Sequence, residues 1–269
     1  MTIALIDNGS LEPAAQRHLR AVAAALSARV GVAVEAVSWK HSDRIAVAAF
    51  DGTSAWTLGP WVRAQLARGE NDFLFVPFFI SAQGAIGSSL RGELEQLQRD
   101  AGDFTFTFTD GLAARGVLAG IVADRVREVI AECALRTPAV IVVDHGGPSS
   151  ASAALRDEIA AEVRTTLADK IGLLAAASME GAHGPLLSDQ LAAPDFDSGD
   201  VVIAPLFLSP GRHAGDGGDL AQIAHAAEDR TFTLRCHFTE LVGTHPRAID
   251  ALAISLRESL ANAPAPALA

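Results

Sequence analysis

An internal repeat runs through nearly the whole chain. The segment Ile3–Gly9, IALIDNG, aligns with Val140–Gly146, VIVVDHG, and Phe73–Pro77, FLFVP, aligns with Val201–Pro205, VVIAP. The segments between these pairs match in the same order. Self-similarity over about half of a chain indicates a duplicated structural unit. We therefore expect two domains that share one fold.

The pattern within each copy predicts the fold class. Ala139–Val143 is a short apolar run between Pro138 and a glycine pair, which predicts a fully buried strand of a parallel sheet. Ser149–Lys170 predicts the helix that follows it. Because strands and helices alternate through both copies, we predict an α/β fold of two tandem domains, each a mostly parallel four-stranded sheet with helices on both faces. The predicted domains are 1–136 and 137–269.

Other segments predict individual elements. Phe104–Thr109 alternates Phe and Thr, which predicts a strand with one exposed face at the edge of the first sheet. Thr231–Leu234 aligns with Thr105–Phe108 and is predicted to be the last strand of the second sheet. Pro60–Arg68 predicts a short helix with proline in its first turn, after the irregular stretch Trp39–Gly59.

Composition excludes some classes of partner. The 269-residue chain has a formal net charge of −11 and no run of Lys or Arg, which argues against nucleic acid. No apolar run approaches the ~18–20 residues that cross a bilayer, so we expect no membrane partner. Cys133 and Cys236 stand alone and Met1–Leu5 does not begin like a signal peptide, so we expect a cytoplasmic location. The oligomeric state is not readable from the sequence, and a monomer is compatible with it.

The two copies differ at the ends of their predicted strands. In the second copy three strand ends carry side chains that can bind a metal: His145, Glu180 and His213. The matched positions of the first copy carry an amide, an ammonium and a methyl group: Asn8, Lys40 and Ala85. Ligands are expected at the carboxyl ends of parallel strands. Two imidazoles and a carboxylate suit a divalent transition metal with open coordination positions. We therefore predict a metal site in the second copy and a degenerate site in the first.

Several motifs together resemble one known family. They are VDHGG at Val143–Gly147, PLFLSPGRH at Pro205–His213, LVGTHP at Leu241–Pro246 and NGSLEPAAQRHLR at Asn8–Arg20. In these motifs the chain is similar to the sirohydrochlorin chelatases, the class II tetrapyrrole chelatases of cobalamin and sirohaem biosynthesis, in a duplicated two-domain form. One departure is Gly147, which stands where the family has a serine after His-Gly.

The resemblance implies a reaction and a set of residues. It implies a lyase that inserts Co²⁺ or Fe²⁺ into a sirohydrochlorin-type tetrapyrrole, with the metal as a substrate and no organic cofactor. It gives the catalytic and metal-binding roles to His145, His213 and Glu180. It gives substrate binding to four residues that follow the strands: Gly146, Gly147, Ser209 and Arg212. The partner is then an anionic tetrapyrrole, whose carboxylates arginine can pair.

Alternatives remain open at this stage. A non-catalytic tetrapyrrole or metal-binding protein on the same fold is the main one, because Asp216 and Asp219 flank a Gly-rich loop after His213 that departs from the family pattern. His183 can replace Glu180 as a ligand, although a surface loop histidine is the simpler interpretation. A hydrolase is disfavoured by the lack of a GxSxG motif, and a dinucleotide site by the lack of GxGxxG after the first strand.

Overall fold

The computed structural model describes residues 1–49, 52–81, 85–181 and 183–262, and at 85–87 it describes the backbone only. The strands are β1 Thr2–Asp7, β2 Glu35–Ser38, β3 Trp56–Thr57, β4 Asp72–Pro77, β5 Thr105–Phe108, β6 Ala139–Gly146, β7 Leu174–Glu180, β8 Gly199–Pro205 and β9 Leu234–Phe238. The helices are α1 Pro13–Val30, α2 Leu58–Leu66, α3 Ala85–Ala101, α4 Leu118–Glu132, α5 Ser150–Leu167, α6 Leu187–Gln190, α7 Asp219–Glu228 and α8 Pro246–Asn262.

The chain forms two compact units that do not coincide with the two predicted domains. The first unit is Met1–Arg115 together with Pro246–Ala269, and the second is Gly116–His245. The boundary at 136 and 137 divides the sequence into repeats and stays a prediction about those repeats. The compact units instead exchange the last helix of each repeat.

The first unit contains a parallel sheet with strand order β3-β2-β1-β4-β5. It has one strand more than predicted, because the two-residue strand β3 lies within the stretch that we expected to be irregular. β5 lies at the edge, as the Phe–Thr alternation predicts. One face of the sheet packs against α2 and α3, where the Trp61 ring contacts the rings of Phe73 and Phe75 at centroid distances of 5.4 and 5.9 Å.

The second unit contains a parallel sheet with strand order β7-β6-β8-β9. β6 is central, and Val140–Val143 are fully buried, as expected for an apolar run covered on both faces. β6 continues to Gly146, past the predicted strand end, because Gly146 pairs with Glu180 on β7. Ser149 caps α5 by accepting a hydrogen bond from the Ser152 amide.

The predicted position of the last strand is wrong. β9 begins at Leu234, where the predicted strand Thr231–Leu234 ends. Arg235 pairs with Asp200 as Thr105 pairs with the aligned Asp72. The prediction rested on the similarity of Thr231–Leu234 to Thr105–Phe108, and it put the strand three residues too early. Phe232 is 89% exposed and lies in the connection that precedes the strand, so its alternation with threonine does not reflect a buried face.

The helix exchange has identifiable contacts. α8 packs on α1, where Arg29 pairs with Asp250 at 2.6 Å, and Arg115 binds Glu258 and donates to the Ser255 hydroxyl at 2.7 Å. This pairing raises the pKa of Arg115 and lowers that of Glu258. α4 packs against α5 and β8 in the second unit. Each helix has an apolar face, but a local pattern does not say which sheet that face covers.

None of the helices in the described ranges is long and apolar enough to cross a membrane.

Candidate active site

The site of the second unit lies where three strands of its sheet end. β6 lies between β7 and β8, so the carboxyl ends of these parallel strands are adjacent. His145 is the second-to-last residue of β6, and Glu180 is the last residue of β7. His213 lies in the loop that connects β8 to α7. The structure therefore brings the three predicted ligands to one edge of one sheet.

Glycines permit the close approach of β6 and β7. Gly146 has φ +83°, and a Cβ there would lie 1.7 Å from the Glu180 carbonyl oxygen. A Cβ at Gly181 would lie 2.8 Å from the Gly147 amide nitrogen. Only glycine fits such a contact with a positive φ. The glycine pair after His145 thus holds the backbones of His145 and Glu180 side by side.

His145 lies between the other two predicted ligands. Its Nδ1 is 3.5 Å from the Glu180 carboxylate, and its ring centroid is 4.7 Å from that of His213 in an edge-to-face arrangement. Nδ1 is also 3.2 Å from the Gly146 carbonyl oxygen. A carbonyl oxygen only accepts, so in this contact Nδ1 carries the hydrogen and Nε2 has the free lone pair.

His213 is oriented by a residue that sequence reasoning did not assign. Its Nδ1 lies 2.6 Å from a carboxylate oxygen of Asp219, the first residue of α7. Because a carboxylate accepts, Nδ1 donates and Nε2 of His213 keeps its lone pair. Carboxylate–histidine pairs of this kind orient metal-binding imidazoles in proteins. The available signal was an acidic residue at a helix start shortly after the histidine.

The three predicted ligands are close without forming a preassembled metal cage. Throughout the described parts of the chain, no group of three or more His, Cys, Asp and Glu side chains has the spacing of a metal site. The imidazoles of His145 and His213 are partly exposed, at 44% and 31%, and Glu180 is 62% exposed. The metal-binding role of these residues stays a prediction.

A buried arginine contacts residues near the ends of β6 and β7. Arg156 of α5 is 2% exposed and pairs with Asp144, the residue before His145, at 3.5 Å. Ser178 of β7 donates to the same carboxylate at 2.6 Å and accepts from Arg156. Sequence reasoning missed this residue. Its signal was a charged side chain in the apolar stripe of a helix, three and seven residues before Ile159 and Val163.

The predicted substrate-binding residues surround this edge. Gly146 and Gly147 follow His145, and among the described residues no atom lies within 4 Å of a Cβ built at Gly147. Ser209 is half-buried in the loop after β8, and the Arg212 side chain is 79% exposed with its Nε 3.7 Å from Asp219. His183 is exposed and its Nε2 lies 3.1 Å from the Pro148 carbonyl oxygen, which fits the surface interpretation.

A cavity of about 480 Å³ adjoins His213 within the second unit. Its lining combines apolar residues of α4, α7 and β9 with four carboxylates, from Glu128, Glu132, Asp216 and Glu240. Such a lining attracts cations and repels polyanions.

The first unit lacks these donors at the matched positions. Gly9 has φ +85°, and a Cβ there would lie 1.7 Å from the Lys40 carbonyl oxygen, as Gly146 approaches Glu180. This equivalence supports the alignment of Asn8 with His145 and of Lys40 with Glu180. The Lys40 ammonium lies 4.1 Å from the centre of the Trp39 ring. The side chain of Ala85, aligned with His213, is outside the described residues.

Two parallel sheets with helices on both sides, and histidines at the strand ends of one of them, define a duplicated chelatase-like α/β protein. The sequence model of the CbiX family matches residues 2–129 and 139–259. The chain therefore belongs to the CbiX family, and the predicted family and duplicated fold are confirmed. No curated protein matches the sequence.

Solved structures show the same fold at low sequence identity. SirB from Bacillus subtilis with Fe³⁺ superposes with a TM-score of 0.67 at 14% identity, covering 97% of each chain. The sirohydrochlorin chelatase SirB from Bacillus subtilis subspecies spizizenii, in complex with cobalt, gives 0.68 at 12% identity and the same coverage. CbiX, described as the terminal enzyme for biosynthesis of siroheme in denitrifying bacteria, gives 0.65 at 18% identity, covering 96% of this chain and 99% of the other.

Proposed function

We propose that this protein inserts a divalent metal, Co²⁺ or Fe²⁺, into a sirohydrochlorin-type tetrapyrrole of cobalamin or sirohaem biosynthesis. The observation that carries the proposal is the pair of imidazoles in the second unit. The ring centroids of His145 and His213 are 4.7 Å apart. In each ring Nδ1 faces an oxygen that accepts its hydrogen, so Nε2 has a lone pair that can bind a metal. Membership of the CbiX family, and neighbours named as sirohydrochlorin chelatases, support the same reaction.

The proposed chemistry needs a weakly held metal and a proton acceptor. Insertion forms bonds from M²⁺ to the macrocycle nitrogens and releases the two pyrrole N–H protons. Metal–imidazole bonds are ~2.0–2.1 Å long, so His145 and His213 can hold the ion from one side while the macrocycle displaces its waters. Two or three protein ligands allow the metal to leave, whereas a closed four-ligand set would retain it. Glu180, beside His145, is placed to take a proton.

The macrocycle is proposed to bind through its carboxylates and its flat face. The exposed Arg212 guanidinium pairs with a carboxylate, and Ser209 donates a hydrogen bond. Gly146 and Gly147 present backbone without side chains, which lets a flat ring approach His145. The carboxylate-lined cavity beside His213 disfavours a polyanion, so the macrocycle approaches from outside it. The metal is a substrate, no organic cofactor takes part, and the reducing cytoplasm is the proposed location.

A direct assay tests this function. Sirohydrochlorin is incubated without oxygen with Co²⁺, Fe²⁺ or Ni²⁺, with and without protein, and the absorbance change is followed. We expect Co²⁺ or Fe²⁺ insertion well above the spontaneous rate, and His145→Ala and His213→Ala to remove most of that excess. Macrocycle or metal binding without any excess rate would contradict the proposal and support a non-catalytic binding protein instead.

A further inference from the structure

Arg156 is a charged side chain in the core of the second unit. Five residues of α5 are buried: Arg156, Ile159, Ala160, Val163 and Leu167. Only 2% of Arg156 is exposed. Burying a guanidinium is unfavourable unless its N–H groups are paired, so its partners indicate what the residue is for.

The guanidinium joins three separate segments. Its Nη1 donates to the Ser178 hydroxyl, to the His183 carbonyl oxygen at 3.2 Å, and reaches the Asp144 carboxylate at 3.5 Å. Its opposite edge is held by Asp157, through Nε at 2.9 Å and Nη2 at 2.7 Å. Asp157 of the same helix therefore fixes one side of the guanidinium, and the other side contacts the end of β6, the end of β7 and the loop after β7.

Those three segments carry two of the proposed catalytic residues. Asp144 immediately precedes His145, Ser178 stands two residues before Glu180, and His183 lies just beyond Glu180. The loop is fitted around the guanidinium, since a Cβ at Gly184 would lie 2.7 Å from Nη2 of Arg156. We propose that Arg156 is a positioning residue that sets the relative placement of His145 and Glu180 without touching substrate. The inference rests on the proposed function of that site.

The first unit provides an internal comparison. Gln16 of α1 is also 2% exposed and accepts a hydrogen bond from Ser38, the counterpart of Ser178, at 3.0 Å. An amide carries no charge and cannot bridge three segments as a guanidinium does. The unit that contains Gln16 presents Asn8 and Lys40 at its strand ends. The buried arginine is therefore found in the unit that has the predicted metal-binding side chains.

The test replaces Arg156 with the first unit's residue. In Arg156→Gln, we expect the Kd for Co²⁺ measured by calorimetry to rise roughly 10- to 100-fold, the usual effect of losing a group that orients a metal ligand. In the metal-free protein, ¹⁵N NMR of the His145 ring should change from one tautomer to a mixture. Arg164→Gln, on the exposed face of the same helix, is the matched control and should change neither measurement.

A double-mutant cycle separates positioning from general destabilisation. In a Glu180→Gln background, Arg156→Gln should weaken Co²⁺ binding much less than in the wild type, since the two act as a unit. An equal effect in both backgrounds would overturn the proposal. If Arg156→Gln does not fold, the same measurements are made on the double variant Asp144→Asn/Arg156→Gln, in which the carboxylate that lost its partner is also removed. A wild type that binds Co²⁺ but inserts none would refute the chelatase function, and unchanged NMR and Kd in the variants would refute only the role of Arg156.

Discussion

In the first unit a Cβ at Gly9 would lie 1.7 Å from the Lys40 carbonyl oxygen, and in the second a Cβ at Gly146 would lie 1.7 Å from that of Glu180. The φ angles, +85° and +83°, are almost the same. The two units thus keep one backbone arrangement at the end of their first strand. What differs is the side chain before each glycine, an amide in Asn8 and an imidazole in His145. The two copies have kept the same backbone geometry at this strand end, and the side chain that stands there decides which chemistry each copy can perform.

The groups beneath these strand ends differ as well. Asp7 and Asp144 occupy matched positions, and each contacts a serine of the neighbouring strand. Burial raises the pKa of Asp7 to about 6, while hydrogen bonds from Ser38 and the Gly9 amide lower it in part. Asp144 instead faces the Arg156 guanidinium at 3.5 Å. The second unit pairs its partly buried carboxylate with a cation, whereas the buried carboxylate of the first unit accepts hydrogen bonds from neutral donors.

The largest expected effect concerns the exchanged helices. We expect the fragment 116–245 to fold by itself and the fragment 137–269, one sequence repeat, to fail. The second fragment lacks α4, whose buried Ile121, Val122 and Val126 each contribute roughly 1.5–3 kcal/mol by burial. Circular dichroism melting and NMR dispersion measure the outcome. Cooperative unfolding of 137–269 at a Tm equal to that of 116–245 would show that α4 is dispensable to the second unit.

The next effect copies a residue of the first unit into the second. His145→Asn should reduce metal insertion by at least about 100-fold, because an amide is a poor ligand for Co²⁺ or Fe²⁺. Asn8→Ala, the matched change in the first unit, should alter the rate less than about twofold. Initial rates of the absorbance change give both values. Loss of insertion in Asn8→Ala but not in His145→Asn would place the site in the first unit.

A pH effect on stability between pH 4 and pH 6 is expected from Asp7 in the first unit. With its folded pKa raised from 3.8 to about 6, Asp7 gives the folded state more bound protons between these values, so the free energy of unfolding falls as pH rises through this range. The loss is on the order of 2–3 kcal/mol and is complete above pH 6. Asp7→Asn should remove this component. Denaturant unfolding of wild type and variant at pH 4 and pH 7 measures it, and a difference independent of pH would contradict the assignment.

The smallest effect concerns the orientation of His213. Asp219→Asn should weaken Co²⁺ binding roughly tenfold, because the neutral amide holds the imidazole less firmly than the carboxylate at 2.6 Å. Asp216→Asn, three residues earlier and exposed, is the control and should change the Kd less than about twofold. Calorimetric titration of both variants decides the matter. Equal weakening in the two would indicate a general charge effect in place of orientation.

Local sequence was sufficient for the class of fold and for the position of the central strands, although β6 continues three residues past its predicted end. Apolar runs such as Ala139–Val143 report burial on both faces of a sheet, and the glycines after His145 report a sharp backbone turn, because both properties depend on a few adjacent residues. Strand ends of a parallel sheet share one edge, so His145, Glu180 and His213 could be grouped without coordinates. The similarity of TFTL to TFTF was misleading, since alternation alone does not show that either face is buried.

Tertiary structure alone decided the partners of these elements. α4 and α8 each have an apolar face, and nothing in that local pattern specifies whether the covered sheet belongs to the same repeat or to the other one. Arg156 contacts Ser178, which is distant along the chain, and Asp219 contacts His213 across a loop. Their roles therefore depend on how the folded chain brings these segments together. Sequence determined which side chains stand at the strand ends, because that is a local property. The packing determined what holds them in place, because hydrogen bonds and buried contacts form between segments that only the folded chain brings together.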